Sequence, residues 1–196
     1  MIWLAGHSIY KYSLENGNGR RIRYDNVVRA PWSFAIDSFG NYILFSQNDD
    51  SCRIAFFDIE KCSSNKFNYD IEQFLFDFGP IKDSHYYYYG DIRFLEKSSG
   101  TIYRLDFNTF NAVPLYAWDF GHYNFNPDEI EDKDVGTRAL LQHIRWFKNN
   151  SHKYVITFMS ACETENLILL SFVFRRLEYT LVYDKIRKQI FLFHHS

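Results

Sequence analysis

One pattern of apolar and polar positions occurs four times along the chain. In each copy, apolar and aromatic residues are followed by one small polar or acidic residue and then by a turn. The copies are Ile9–Gly17 (IYKYSLENG), Ile54–Cys62 (IAFFDIEKC), Ile102–Phe110 (IYRLDFNTF) and Thr180–Lys188 (TLVYDKIRK). Their first residues are separated by 45, 48 and 78 residues, so the third interval is longer than the other two.

A segment with a different periodicity, at residues 125–151, accounts for the longer interval. Its first half carries Pro127 and several acids, and its second half places apolar residues at helical spacing. This arrangement predicts an inserted helix near residues 128–149. Without the insertion, one structural unit occurs about every 45–50 residues, which is the length of one β-propeller blade.

Short runs of apolar and aromatic residues, separated by turns, predict the strands of each unit. In the first copy these are Ile2–Ala5, Ser8–Ser13 and Arg20–Tyr24. In the second they are Trp32–Asp37, Tyr42–Gln47, Arg53–Asp58 and a shorter run near Phe67. In the third they are Tyr86–Tyr89, Asp91–Leu95, Thr101–Asp106 and Val113–Phe120. In the fourth they are Lys153–Met159, Asn166–Phe174, Leu177–Asp184 and Gln189–His194.

The predicted fold is therefore all-β: a β-propeller of about four antiparallel blades with four strands each, the first blade being incomplete. We expect one propeller domain over residues 1–196, with blades at about 1–27, 31–70, 84–121 and 152–196 and the helical insertion at 125–151. The acids after the third strands, Asp58, Asp106 and Asp184, are expected to accept hydrogen bonds from the turns that they begin.

Composition supports strands and excludes some partners. The chain contains 20 Phe, 15 Tyr and 4 Trp, and such side chains favour the half-buried surface of a sheet. Its net charge of −2 is spread without a basic stripe, so we expect no nucleic-acid partner.

Three cysteines with no C-x-x-C pair do not form a disulfide framework, and no apolar run reaches the ~20 residues of a membrane span. No signal peptide is evident at the N-terminus.

Several runs in this sequence resemble a known family. GNYILFS (Gly40–Ser46), GTIYRLD (Gly100–Asp106) and AWDFG (Ala117–Gly121) resemble the six-bladed β-propeller proteins of Gram-negative gut bacteria. That group is mostly uncharacterised, exported, often lipid-anchored and related in blade form to NHL-type propellers. The resemblance implies a periplasmic or cell-surface location and a ring of six blades.

The length of the chain departs from that family, because six blades of this period need roughly 270 residues or more. We therefore expect a fragment that carries the middle or later blades of a longer protein, and a closed ring of four blades is the alternative. An open arrangement would leave the faces of the terminal blades uncovered, which predicts self-association or a partner that completes the ring.

Catalytic and metal-binding motifs are largely missing from the sequence. Neither phosphate-binding glycine loops, nor H-E-x-x-H, nor G-x-S-x-G is present. The seven histidines share no ligand spacing, and the acids between Asp128 and Asp134 lack the order of a calcium loop. We expect no catalytic residue, no bound metal and no cofactor. The run Tyr86–Tyr89 could stack on a ligand, but alternation along a strand favours packing against neighbouring blades.

Propeller ligands usually meet the loops and inner-strand ends around the central channel. The corresponding positions predict a binding surface at Trp32, His85 and His152. Two function classes stay open. One is a non-catalytic binding or scaffolding propeller of the cell envelope that recognises a peptide, protein or glycan. The other is a metal-dependent propeller hydrolase or lyase with its site in the channel.

Overall fold

The computed structural model describes residues 2–5, 8–23, 33–37, 40–46, 54–67, 85–96, 99–125, 129, 145–146, 148–155 and 157–195. The chain divides into two compact units, Met1–Asn68 and Tyr69–Ser196. In the described part of both units, the regular structure is almost entirely antiparallel sheet.

The first unit contains a three-stranded and a four-stranded sheet. The first sheet has the strand order β1-β2-β3 and consists of β1 (Ile2–Ala5), β2 (Ser8–Tyr12) and β3 (Gly19–Arg23). The second sheet has the order β4-β5-β6-β7 and consists of β4 (Ser33–Ile36), β5 (Tyr42–Ser46), β6 (Ile54–Asp58) and β7 (Ser63–Lys66). All five residues of β6 are buried, so the apolar centre of the repeat pattern forms the centre of this sheet.

The second unit contains two four-stranded sheets. The third sheet consists of β8 (His85–Tyr88), β9 (Asp91–Leu95), β10 (Ile102–Asp106) and β11 (Asn111–Tyr116). The fourth sheet consists of β12 (Thr157–Glu163), β13 (Leu167–Phe174), β14 (Leu177–Asp184) and β15 (Gln189–His194). In both sheets each strand pairs with the next along the chain, and β8 and β12 are neighbours across the two sheets.

These strands confirm the predicted all-β class with four-stranded antiparallel sheets. Of the predicted helix, residues 145–146 and 148–150 are helical, and residues 130–144 lie outside the described residues.

Two strands that were predicted with both bounds differ from the structure by more than one residue at an end. The strand predicted at Val113–Phe120 ends at Tyr116, because the Asp119 carboxylate accepts hydrogen bonds from the Gly121 N–H at 2.7 Å and the Asn124 amide at 2.6 Å and starts a 3₁₀ turn. The strand predicted at Lys153–Met159 lies further along the chain, at Thr157–Glu163.

The displacement of β12 has a local cause. Residues 151–154 form turns, so the strand begins after them. The hairpin between β12 and β13 is closed at Thr164. The Thr164 hydroxyl accepts the Leu167 N–H at 3.1 Å, and the Thr164 N–H donates to the Leu167 carbonyl at 2.8 Å. The strand therefore extends to Glu163, four residues beyond the predicted end.

The expected role of the repeated aspartates is confirmed. One oxygen of Asp58 accepts the N–H groups two and three residues ahead, at 3.0 and 2.9 Å, and Asp184 does the same, with both distances at 2.9 Å. Asp106 accepts the Asn108 N–H at 2.9 Å and the Thr109 hydroxyl at 2.9 Å. Because these bonds form within one turn, the residue type alone specifies the hairpin.

Each of these turns ends on a residue in the left-handed region. The fourth residue after the polar position has a positive φ in every copy: Gly17 at 71°, Cys62 at 53°, Phe110 at 53° and Lys188 at 54°. The four copies therefore share one turn geometry as well as one sequence pattern.

A hydrophobic core joins the third and fourth sheets. Its buried members are Leu95, Ile102, Val155, Phe158, Ile168, Leu170, Phe172 and Leu181. Gly100 makes the closest approach in this region, since a Cβ atom built on it would lie 2.5 Å from the ring of Phe158. The hairpin before β10 thus packs on the ring of Phe158, and a side chain at position 100 would separate the two.

We predict that Gly100→Ala lowers the free energy of unfolding by about 2–3 kcal/mol, because overpacking of a filled core adds to the strain of a positive φ. The matched control is Gly40→Ala. Gly40 has φ +73° against +72° for Gly100, but a Cβ there meets no atom within 4 Å. Urea unfolding followed by tryptophan fluorescence would compare the two variants. Equal losses would contradict a packing role for Gly100.

Candidate functional site

The structure places the three predicted ligand-binding residues in different settings. Trp32 lies outside the described residues. His85 is half-buried at the first position of β8, where it pairs with Phe94 of β9. His152 is exposed in the turns before β12, and its backbone carbonyl accepts a hydrogen bond from the Arg175 guanidinium at 3.3 Å. The binding role of these residues stays a prediction.

The polar groups that the structure does bring together centre on Glu163, the last residue of β12. We call this group the Glu163 cluster, and its members are Tyr86, Arg93, Tyr116, Glu163 and Lys185. They come from the third and fourth sheets, and only 2% of the Glu163 side chain is exposed.

Both carboxylate oxygens of Glu163 are fully engaged. Oε1 accepts from the Lys185 ammonium at 2.6 Å and from the Tyr116 hydroxyl at 3.3 Å. Oε2 accepts from the Tyr86 hydroxyl at 3.3 Å and lies 3.5 Å from Nε of Arg93, which is an ion-pair distance without hydrogen-bond geometry. A carboxylate has about four lone-pair positions, and Glu163 accepts three hydrogen bonds and makes one further ion pair.

Lys185 is held as completely as Glu163. Its ammonium donates to Glu163, to the backbone carbonyl of Thr164 at 2.6 Å and to the Tyr88 hydroxyl at 3.4 Å. Its nitrogen also lies 4.5 Å from the centre of the Tyr88 ring, within the range of a cation–π contact. An ammonium group has three donors, so Lys185 has none left for another partner.

Burial and the charge of Glu163 shift the pKa of Lys185 in opposite directions, whereas both raise the pKa values of Tyr86 and Tyr116. Burial lowers the pKa of Lys185, but the hydrogen bond and negative charge of Glu163 outweigh it and raise that pKa above its usual value. Burial and then the charge of Glu163 raise the pKa of Tyr86 well above its usual range, and the same two causes raise the pKa of Tyr116. At neutral pH the lysine is therefore charged and both hydroxyls keep their protons.

The cluster is suited to holding two sheets together rather than to chemistry. A general base or a metal ligand must reach a substrate or an ion, whereas only 2% of the Glu163 side chain is exposed and both of its oxygens already have partners. Within the described residues, no group of three or more His, Cys, Asp or Glu side chains is placed to hold a metal ion. Over the same part of the chain, no helix has the length and apolar character that crossing a membrane requires.

The repeat pattern does not predict this cluster, although two features of the sequence point to it. The residue after the turn-forming position is apolar in three copies, at Leu14, Ile59 and Phe107, but it is Lys185 in the fourth. The second feature is Glu163, an acid at the end of an apolar strand, which lies beyond the end that the sequence predicts for that strand at Met159.

The run Tyr86–Tyr89 alternates between faces, as expected. Tyr86 and Tyr88 contact the Glu163 cluster, whereas Tyr87 and Tyr89 are exposed. Tyr89, with φ 47°, and Gly90 form the turn between β8 and β9. The run therefore provides packing on one side and an aromatic surface on the other.

A family model described as a 6-bladed β-propeller, DUF5128, matches residues 7–196. The chain belongs to this family. The predicted β-propeller fold and the resemblance to six-bladed propellers are thus confirmed. The antiparallel sheets of the chain are blades of such a propeller.

Two solved structures share this fold with the chain. A Bacteroides fragilis protein, named provisionally as exported, matches with a TM-score of 0.69 at 14% identity over 96% of this chain and 52% of that protein. Dihydro-heme d1 dehydrogenase NirN in complex with DHE matches with a TM-score of 0.50 at 12% identity over 97% of this chain and 33% of that protein. The chain thus spans about half the length of the Bacteroides protein. No curated protein matches significantly.

We predict that Glu163→Gln lowers the free energy of unfolding by about 3–5 kcal/mol, because it leaves the mostly buried Lys185 without its counter-charge and removes one of the two carboxylates beside Arg93. The matched control is Asp91→Asn, which removes a carboxylate 3.1 Å from the same Arg93 but at a site where 56% of the side chain is exposed. Exposed pairs contribute about 1 kcal/mol or less. Urea unfolding would show the difference, and similar losses in both variants would contradict the central role of Glu163.

We also predict that stability falls as the pH rises above about 10. In the unfolded chain Tyr86 would lose its proton near its ordinary pKa of 10.0, whereas the folded state keeps it bound. The unfolded state then binds fewer protons, so the free energy of unfolding decreases with pH. Tyr86→Phe should make this alkaline decrease shallower, while Tyr89→Phe, at an exposed position, serves as control. An unchanged slope in Tyr86→Phe would count against the raised pKa.

Proposed function

We propose that this chain is part of a non-catalytic binding or scaffolding propeller of the cell envelope that recognises a peptide, a protein or a glycan. The observation that carries the proposal is the division of polar and aromatic groups at β8 and β12. Those on one face are engaged in the Glu163 cluster between the blades. Those on the other face, such as Tyr87, Ser160 and Cys162, are exposed on rigid strands.

An exposed aromatic ring on a fixed strand is suited to stacking or apolar contact with a ligand. Tyr87 is 53% exposed in β8, two residues from His85. We therefore propose that Tyr87 extends the binding surface predicted at Trp32, His85 and His152. A location in the envelope is supported by the structural likeness to a protein that is named as exported. An NHL-like relationship of the blades remains part of the same proposal.

The test is a screen of the purified full chain against a glycan array and a peptide library, followed by calorimetry on any hit. We expect His85→Ala, His152→Ala, Trp32→Ala and Tyr87→Ala to weaken binding, each by about tenfold where the side chain contacts the ligand. Tyr89→Ala, which removes an exposed ring from the adjacent turn, is the control and should bind like the parent. Unchanged affinity in all four variants would refute this surface.

Metal analysis of the same preparation separates this function from the metal-dependent hydrolase or lyase. A stoichiometric ion whose removal lowers the melting temperature would contradict the non-catalytic proposal.

A further inference from the structure

The outer strands of the four sheets differ in how their free edges are protected. β3 carries three exposed arginines, Arg20, Arg21 and Arg23. β7 has the polar sequence SSNK, and β11 contains Pro114, which has no N–H to offer. Charged residues, polar residues and proline are the means by which natural sheets avoid pairing with another chain.

β15 lacks charged residues and proline, and its polar residues, Gln189 and His194, stand only at its two ends. Its sequence is QIFLFH, without a formal charge, a proline or a glycine. Its four apolar side chains are exposed to water, at 59% for Ile190, 44% for Phe191, 57% for Leu192 and 56% for Phe193. A short strand of high β-propensity and no net charge at a sheet edge is typical of strands that pair with another copy.

The backbone of β15 also shows which groups are available. The His195 N–H donates to the Glu178 carbonyl of the strand before it at 2.9 Å. Backbone groups alternate in direction along a strand, so those of Phe193 and Phe191 face β14 as well. The N–H and C=O groups of Ile190, Leu192 and His194 therefore point to the free edge, where no strand of the described chain pairs with them.

We propose that β15 is a dimerisation edge, which pairs antiparallel with β15 of a second copy about a two-fold axis at Leu192. This register places outward-pointing residues opposite one another, Leu192 against Leu192 and Ile190 against His194. It also sets Phe191 against Phe193 of the other copy. Such a pairing is self-complementary, as a two-fold interface requires, and aromatic and apolar cross-strand pairs stabilise it.

The proposed contact continues an interface that the molecule already has. Leu192 pairs across the sheet with Leu181, and Ile190 pairs with Tyr183. Leu181 is a buried member of the core between the third and fourth sheets, and Tyr183 is partly buried and packs against that core. A second copy of β15 would thus extend the apolar face of the fourth sheet by one more strand. Dimerisation through β15 does not depend on the proposed ligand binding. The sequence predicts self-association through open blade faces, and the proposed contact places this self-association at the outer edge of the fourth sheet.

Sedimentation equilibrium of the full chain tests the proposal. We expect a species of twice the 23.5-kDa chain mass. Leu192→Lys should raise the dissociation constant at least about tenfold, because it places two like charges opposite each other at the axis. The control is Ile186→Lys, which makes the same change in the β14–β15 turn at a side chain that is 72% exposed. A monomeric parent, association that persists in Leu192→Lys, or an equal effect of Ile186→Lys would overturn the proposal.

A cysteine variant gives a second test that does not need a charge at the edge. In a chain with Cys52, Cys62 and Cys162 replaced by serine, Leu192→Cys should form a disulfide-linked dimer under mild oxidation. Directly opposite residues of a hydrogen-bonded antiparallel pair have Cα atoms ~5.5 Å apart, within the ~4.4–6.8 Å that a disulfide spans. Ile186→Cys should not cross-link. Absence of the Leu192→Cys dimer, or equal cross-linking at position 186, would refute the register.

Discussion

The second unit depends on one buried carboxylate. Glu163 is the point at which β12 of the fourth sheet meets side chains from β8, β9 and β11 of the third. Removing a single partner from such a pair is costly, whereas replacing the whole pair with apolar groups can be neutral. The cluster therefore accounts for the relative placement of these two blades more than for their net stability. Apolar packing around Phe158 and Phe172 supplies the nonspecific part of the contact, and Glu163 supplies the specific part.

The blades themselves are made by local interactions that repeat. An aspartate at the end of the third strand accepts hydrogen bonds from the next two or three residues, and a residue with positive φ closes the turn. Because these bonds need no distant partner, each blade can form its hairpins before it meets a neighbour. The inter-blade contacts then select how finished sheets associate.

The side chains that hold the blades together are different from the side chains that are exposed for contact with a partner. At the blade interface, Glu163 and Lys185 already have partners within the chain, so the recognition that we propose would use side chains that the sheets expose, on β8 and at the outer edge of the fourth sheet. The family and the solved structures share the fold at low identity, and a common scaffold with different exposed residues is how one fold serves several functions. His85 and Tyr87 on β8 and the edge of β15 are the surfaces that we propose for such recognition.

The sequence by itself determined the elements that depend on neighbours in the chain. The repeat, the aspartate turns and the strands at Asp91–Leu95 and Leu177–Asp184 were predictable, since alternation and turn chemistry act over a few residues. The six-bladed family was indicated by the resemblance of three sequence runs to that family. Only the tertiary structure decided the Glu163 cluster, whose hydrogen bonds join residues 77, 47 and 22 positions apart. It also showed that β15 is exposed. Burial and charge pairing arise when separate sheets meet, and no periodicity within one strand encodes which residue it will face.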